Sequence, residues 1–321
     1  MESLEKAIRR EVKIWLRLEH PNIVPLLGVA SIKSPFPALV SRWMPSGTLY
    51  IYVKERATTF TPSAKVEFVR GIAGGLNYLH AKNIIHGDLH PGNVLVDGSG
   101  KPCITDFGLA TVVEDEELQW SAETVERDFN GRFSAPEIIG INCDPGRPTF
   151  KSDTYSFGGI MFLTVTGDIP WKGKKTYQIS VELSKGTTHA RPNNILDDHW
   201  KLIQHCWSWD SGDRPGAAKV LQHIAKLQLP DNVFGDCPQM PTFGGVRAMS
   251  RNTSDATDIL VLTPSSDVLD LTTSFDPQDR VQGRRKWVEE CTEIDIAFTS
   301  MQSATLGIIC LCCSLPFING M

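Results

Sequence analysis

The sequence predicts an α+β chain, with strands confined to a few short apolar runs and long helices making up most of the rest. Three observations carry this. The apolar runs Ile84-Ile85 and Val94-Leu95-Val96 flank a polar loop, as paired strands do when they hold a loop rigid at the edge of a core. Just before it, Val66, Val69, Ile72, Ala73, Leu76 and Leu79 recur at helical spacing. A very apolar helical stretch opens at Lys151-Ser152-Asp153 and runs through Leu163 to Val165.

The elements follow in order. Leu4, Ile8, Val12 and Trp15 predict an amphipathic helix from Glu2 to Leu18, with Glu11 near its apolar side and Pro21 closing it. Ile23 to Ala30 and Pro37 to Trp43 read as two short strands around a turn at Ser34-Pro35-Phe36-Pro37. Thr61-Pro62 is a helix start, with Thr as cap and Pro at the first helical position, and the helix runs to Asn83. Gly74-Gly75 weakens its middle by roughly 1 kcal/mol each. Asp153 opens its helix as an N-terminal carboxylate favoured by the dipole. A final helix runs through Ala217, Val220, Leu221, Ile224 and Leu227. From Pro230 to Asp279 the chain is rich in Asp, Ser, Thr, Pro and Gly and reads as a disordered tail, with one apolar piece at Ile259 to Leu262. The apolar run Ala304 to Ile318 is shorter than the roughly 20 residues a spanning helix needs, so a membrane anchor is not expected.

Composition narrows the class. The 321 residues are 41% hydrophobic and 21% charged, as in soluble globular proteins. A net charge of −5 provides no basic field for nucleic acid. Of the 8 cysteines, five are scattered and three, Cys310, Cys312 and Cys313, fall in the apolar run near the end; without histidine at zinc spacing they read as reduced intracellular thiols. The charged N-terminus has no apolar signal core, so a soluble cytoplasmic protein is expected.

The polar loop carries the chemistry. In His86-Gly87-Asp88-Leu89-His90-Pro91-Gly92-Asn93, one carboxylate, Asp88, can accept a proton from an attacking hydroxyl. The amide oxygen of Asn93 and the carboxylate of Asp106, in Asp106-Phe107-Gly108, can hold Mg²⁺ against nucleotide phosphates. Phosphoryl transfer needs these parts, because it rests on positioning and charge neutralisation. An isolated loop of this kind would be a polar turn between strands; the added Asp-Phe-Gly argues against that.

These motifs resemble the catalytic and metal loops of protein kinases, with Gly87 in place of the arginine of His-Arg-Asp and His90 in place of a lysine. The same loop also resembles that of small-molecule kinases such as the aminoglycoside and choline kinases. Ala135-Pro136-Glu137, Asp153 and Asp213-Arg214-Pro215 are similar to protein-kinase motifs and favour that family. Leu26-Leu27-Gly28-Val29 and the Leu39-to-Met44 stretch resemble its tyrosine-kinase-like group, mostly Ser/Thr-specific.

The resemblance implies the bilobal α+β kinase fold over residues 1–229, with a hinge near 42–47, a complete helical large lobe at 48–229 and a truncated small lobe beginning at the family's C helix. Residues 230–321 would be the tail. ATP and Mg²⁺ are the implied cofactors and a protein hydroxyl the substrate. The implied catalytic residues are Asp88, His90 and Asn93, with Asn93 and Asp106 as metal ligands. Glu11 is the implied C-helix glutamate. Ser41 matches the gatekeeper, Arg42 to Met44 would present backbone groups to adenine, and Leu95 would lie beneath it. His86, Phe107, Gly108, Glu137, Asp153 and Arg214 are implied supports, with Arg214 pairing Glu137 and Asp153 anchoring the loop backbone. The family's substrate-lining threonine falls at Asn130, and Ser121, Thr124 and Ser134 are hydroxyls of the implied activation segment.

Nothing before Glu11 resembles a glycine-rich loop or a strand-three lysine, as expected of a truncated kinase sequence, a fragment of a longer kinase or a pseudokinase; the survival of Asp88, Asn93 and Asp106 favours truncation of an active kinase. A pseudokinase or interaction scaffold without activity is the alternative. On that basis Glu11 is expected to stay solvated, the face of the first helix at Ile8 and Trp15 to be exposed, and ATP to bind weakly.

Overall fold

A computed structural model describes residues 2–30, 38–113, 115, 118 and 131–227. The turn at 34–37, Ser121, Thr124, Asn130 and the tail with its apolar pieces at 259–262 and 304–318 lie outside the described residues.

Helix α1 spans Glu2–Trp15, three residues short of the expected end. Strands β1 (Leu26–Ala30) and β2 (Ala38–Ser41) pair antiparallel, from Leu26 opposite Ser41 to Ala30 opposite Ala38. Then come α2 (Leu49–Glu55) and α3 (Pro62–Ala81). Thr61 caps α3 by accepting from the Ala64 N–H at 3.2 Å, which satisfies one of the orphan donors of its first turn. Four short strands frame the polar loop. β3 (Ile84–Ile85) pairs with β6 (Thr111–Val112), and β4 (Val94–Val96) pairs with β5 (Pro102–Ile104). The remaining helices are α4 (Pro136–Ile139), α5 (Phe150–Thr166), α6 (Thr176–Ser184), α7 (Asp197–Cys206) and α8 (Ala217–Ile224). The α+β class and the predominance of helix are as expected.

Helix α5 is buried on nearly every side, from Ser152 to Thr164, which is what a helix apolar all round requires. Its start carries a capping box between Thr149 and Ser152. One apolar core cluster extends from Ile8 to Ile224, and the loop and its four strands sit within it.

Two expectations about α1 are corrected. Its apolar face is not exposed: Ile8, Val12, Ile14 and Trp15 are all buried. Trp15 packs against the ring of Phe107, far along the chain, at 5.6 Å, and its indole N–H donates to the carbonyl of nearby Val24 at 2.6 Å. Glu11 is not fully solvated either; it is half-buried, with Oε1 shielded from water. Polar contacts explain why the helix sits so close. Arg10 donates to the carbonyls of Gly108 (3.5 Å), Leu118 (3.3 Å) and Ala110 and to Thr111 Oγ1 (3.3 Å), and Arg17 pairs with Asp115 at 3.0 Å.

Candidate active site

The polar loop is built from the backbone outward. Asp153, at the start of α5, is 1% exposed and holds the loop by both carboxylate oxygens. Oδ2 accepts the His86 N–H and Oδ1 the Gly87 N–H, each at 2.9 Å, and Oδ2 also meets His80 Nε2 at 2.9 Å. Gly87 has φ +81, a left-handed conformation that a side chain would strain. His86 is fully buried. Its Nδ1 accepts the Asp88 N–H at 3.2 Å, so the ring proton is assigned to Nε2, which donates to the Thr105 carbonyl at 3.0 Å. These bonds fix where Asp88 leaves the chain.

Asn93 ends a 3-10 turn, Pro91–Asn93. Its Nδ2 donates to the Asp88 carbonyl at 2.9 Å. That commits the amide's donor end inward and leaves Oδ1, the end suited to a hard cation. Asp106 has φ +64, an uncommon conformation for a residue with a side chain, and its Oδ1 accepts the Gly108 N–H at 3.2 Å. Phe107 is fully buried between Trp15 and His86, with both ring centroids 5.6 Å away. The metal loop is therefore packed directly against α1 and the catalytic loop.

His90 caps the turn before Asn93. Its Nδ1 accepts the Gly92 N–H at 3.0 Å and its Nε2 lies 3.7 Å from Asp88 Oδ2. Burial pulls its pKa below the ordinary histidine value. Asp88, and less strongly Asp106, oppose that shift, which places the ring in the field of both carboxylates.

The other sequence-predicted residues fall as follows. Ser41 is buried at the end of β2, and its hydroxyl has no hydrogen-bond partner among the described residues. Arg42 is exposed, while Met44 is buried and its carbonyl already accepts the Gly47 N–H at 3.0 Å, so a turn uses one acceptor of the implied hinge. Leu95 lies on β4, bridged to Thr48. Glu137 and Arg214 form a bidentate ion pair at 2.6 and 2.9 Å, with Arg214 1% exposed. A cavity of about 420 Å³ lies behind Arg42 and Met44, between His20, Asp97 and Lys101, and contains none of Asp88, Asn93 or Asp106. Sequence reasoning missed Arg10, whose acceptors lie about a hundred residues away and leave no local pattern.

The oxygen donors of Asn93 and Asp106 suit Mg²⁺, which favours hard oxygen ligands and keeps positions for phosphate and water. Among the described residues no three His, Cys, Asp or Glu side chains gather as a metal cluster, so such an ion would depend on phosphate oxygens as well.

Residues 1–224 match the family described as protein tyrosine and serine/threonine kinase. The chain is 30% identical over 227 residues to the serine/threonine-protein kinase STY46 of Arabidopsis thaliana, covering 70% of this chain and 38% of that protein. It is 30% identical over 225 residues to the serine/threonine-protein kinase VIK of Arabidopsis thaliana, 68% of this chain and 50% of that protein. It is also 30% identical over 237 residues to the Raf homolog serine/threonine-protein kinase of Caenorhabditis elegans, 70% of this chain and 28% of that protein. The chain spans half or less of the length of each of these relatives. Their names agree with the tyrosine-kinase-like grouping and favour protein kinases over small-molecule phosphotransferases. The chain belongs to the protein tyrosine and serine/threonine kinase family.

Proposed function

We propose that the chain transfers the γ-phosphate of ATP to serine or threonine hydroxyls of proteins, with Asp88 as the base. The observation that carries this is the hydrogen bond from Asn93 Nδ2 to the Asp88 backbone carbonyl, which ties the metal-side amide to the backbone of the residue that bears the catalytic carboxylate. Asp88 would orient the hydroxyl and take its proton. Asn93 Oδ1 and the Asp106 carboxylate would hold Mg²⁺, which neutralises charge on the phosphates when bound. Buried Phe107 keeps the Asp106 loop seated, and Asp153 keeps the Asp88 loop seated.

The reading takes residues 1–229 as one kinase unit and 42–47 as its hinge, supported by the main core cluster, which runs from Ile8 to Ile224. Glu11, Ser41, Arg42, Met44 and Leu95 form the nucleotide side. A cytoplasmic location belongs to the proposal, supported by the free cysteines Cys103, Cys143 and Cys206; no helix among the described residues is long and apolar enough to cross a membrane.

The test is phosphate transfer from Mg·ATP to a serine/threonine peptide mixture. Asp88→Asn is expected to lower turnover at least about a hundredfold with nucleotide affinity nearly unchanged. Asp106→Asn is expected to remove the Mg²⁺-dependent part of nucleotide binding and turnover together. Wild-type turnover in the Asp106→Asn protein would sink the metal assignment.

A further inference from the structure

The segment 131–135 lies beside the catalytic loop. Phe133, Ser134 and Ala135 share a small recess with Asp88 and His90, so on the kinase reading this segment forms the floor on which a peptide substrate rests. That floor is tied to a second body of the molecule. Trp171, Ile179 and Leu183 form a small apolar cluster of their own, separate from the main core, with Ile139 and Ile141 packed on it. The loop that leads into this cluster is held in a costly shape, because Trp171 has φ +56, a left-handed conformation rare for a bulky side chain.

One side chain bridges the two bodies. Arg132 donates from Nη1 to the carbonyls of Pro170 at 2.9 Å and Trp171 at 2.6 Å, and from Nη2 to the carbonyl of Lys174. Three carbonyl dipoles aimed at one point repel one another unless a cation sits there, and a planar guanidinium meets them in a fixed fork. The neighbours of Arg132 interlock as well. A Cβ on Gly131 would lie 2.6 Å from Thr176 Cγ2 at the start of α6, and a Cβ on Gly159 of α5 would lie 2.7 Å from the Phe133 ring. So Gly131 meets α6, Arg132 the 170–174 loop, and Phe133 α5.

We propose that Arg132 is a positioning residue for the protein substrate: by gathering the Pro170, Trp171 and Lys174 carbonyls it locks the α6 cluster to the substrate floor and sets the height of Phe133 and Ser134 beside Asp88. Its hydrogen bonds go to the Pro170, Trp171 and Lys174 carbonyls rather than to Asp88, Asn93 or Asp106. The proposal rests on the kinase reading for what the floor carries, and on geometry alone for the lock.

The experiment uses the full 321-residue chain. In Arg132→Gln, backbone amides at 131–135 and 171–174 are expected to exchange hydrogen about tenfold faster, while those in the middle of α5 keep their protection. With a serine/threonine peptide mixture as probe, peptide KM should rise about tenfold with ATP KM unchanged. Arg132→Lys, which keeps the charge and loses the fork, should fall between. Should Arg132→Gln fail to fold, Gly131→Ala decides: it should loosen the same two segments, and Thr176→Ser, which removes the obstructing methyl, should restore them. Unchanged exchange at 171–174, or equal rises in ATP and peptide KM, would overturn the lock. A chain without any turnover whose exchange pattern follows the prediction would refute the kinase proposal and leave the lock standing.

Discussion

His90 stands where the resemblance implies a lysine, and its Nδ1, accepting the Gly92 N–H, gives it a second part as a turn cap. The charges of Asp88 and Asp106 favour the protonated ring. The balance goes the other way, because the cost of desolvating an imidazolium outweighs the attraction of Asp88 and Asp106. Protonating Nδ1 would also sacrifice the Gly92 N–H bond that holds the turn carrying Asn93. Two variants separate the roles. His90→Ala removes the acceptor and should lower stability by about 1 kcal/mol, whereas His90→Asn, a good capping residue, should recover most of it. His90→Lys supplies a fixed charge without an acceptor, so turnover at neutral pH should hold or rise while the urea midpoint falls. Equal losses of stability in the Ala and Asn proteins would remove the cap from this account.

At the scale of elements, α5 acts as the post to which the catalytic loop is fastened. Asp153 satisfies two loop amides and the His80 ring from a position 1% exposed to water. Asp153→Ala would leave those donors buried and unpaired, at a cost of about 3–5 kcal/mol. Asp153→Asn keeps one acceptor oxygen and should cost about 1–3 kcal/mol. Urea unfolding of both proteins, with hydrogen exchange at residues 86–88, measures this; two variants as stable as wild type would mean the anchor contributes nothing. This link was readable in advance because the motif around Asp153 is distinctive. So were the start of α3 at Thr61-Pro62 and the partnership of Glu137 with Arg214, each a local signature or a motif pair. The docking of α1 was not. Its Ile8 and Trp15 face signalled burial, but the partners, Phe107 and the 108–118 carbonyls reached by Arg10, lie about a hundred residues away. Gly75 was misjudged for a related reason. Read along the helix it only weakens α3, whereas in space a Cβ there would lie 2.9 Å from the Asn22 carbonyl, so glycine permits the close approach.

Across the whole molecule, four histidines share one electrostatic condition. His20, His90, His189 and His199 are all drawn below the ordinary histidine pKa, with burial the largest cause in each. A group whose pKa is lower folded than unfolded takes up its proton more readily in the unfolded chain. Stability from these groups is therefore complete above the unfolded pKa of about 6.5 and is lost as pH falls below it. The carboxylates held low, Asp97, Glu182 and Asp197, act in a separate window below about pH 4.5, so the interval from pH 7 to 5 reads chiefly the histidines. His199 is the clearest single case. It sits in α7 at 6% exposure, its Nε2 has no hydrogen-bond partner among the described residues, and the charge of Asp198 only partly offsets the burial. Because no bond would be lost, His199→Leu should be as stable as wild type or more so at pH 7.5. Between pH 7 and 5 it should lose less stability than wild type, by about 1.4 kcal/mol for each full unit of depression the histidine carries. Urea midpoints at pH 7.5 and 5.0 for both proteins give the comparison. Parallel losses would show that the acid sensitivity arises elsewhere, and a less stable variant at pH 7.5 would show that the imidazole has a partner the leucine cannot replace.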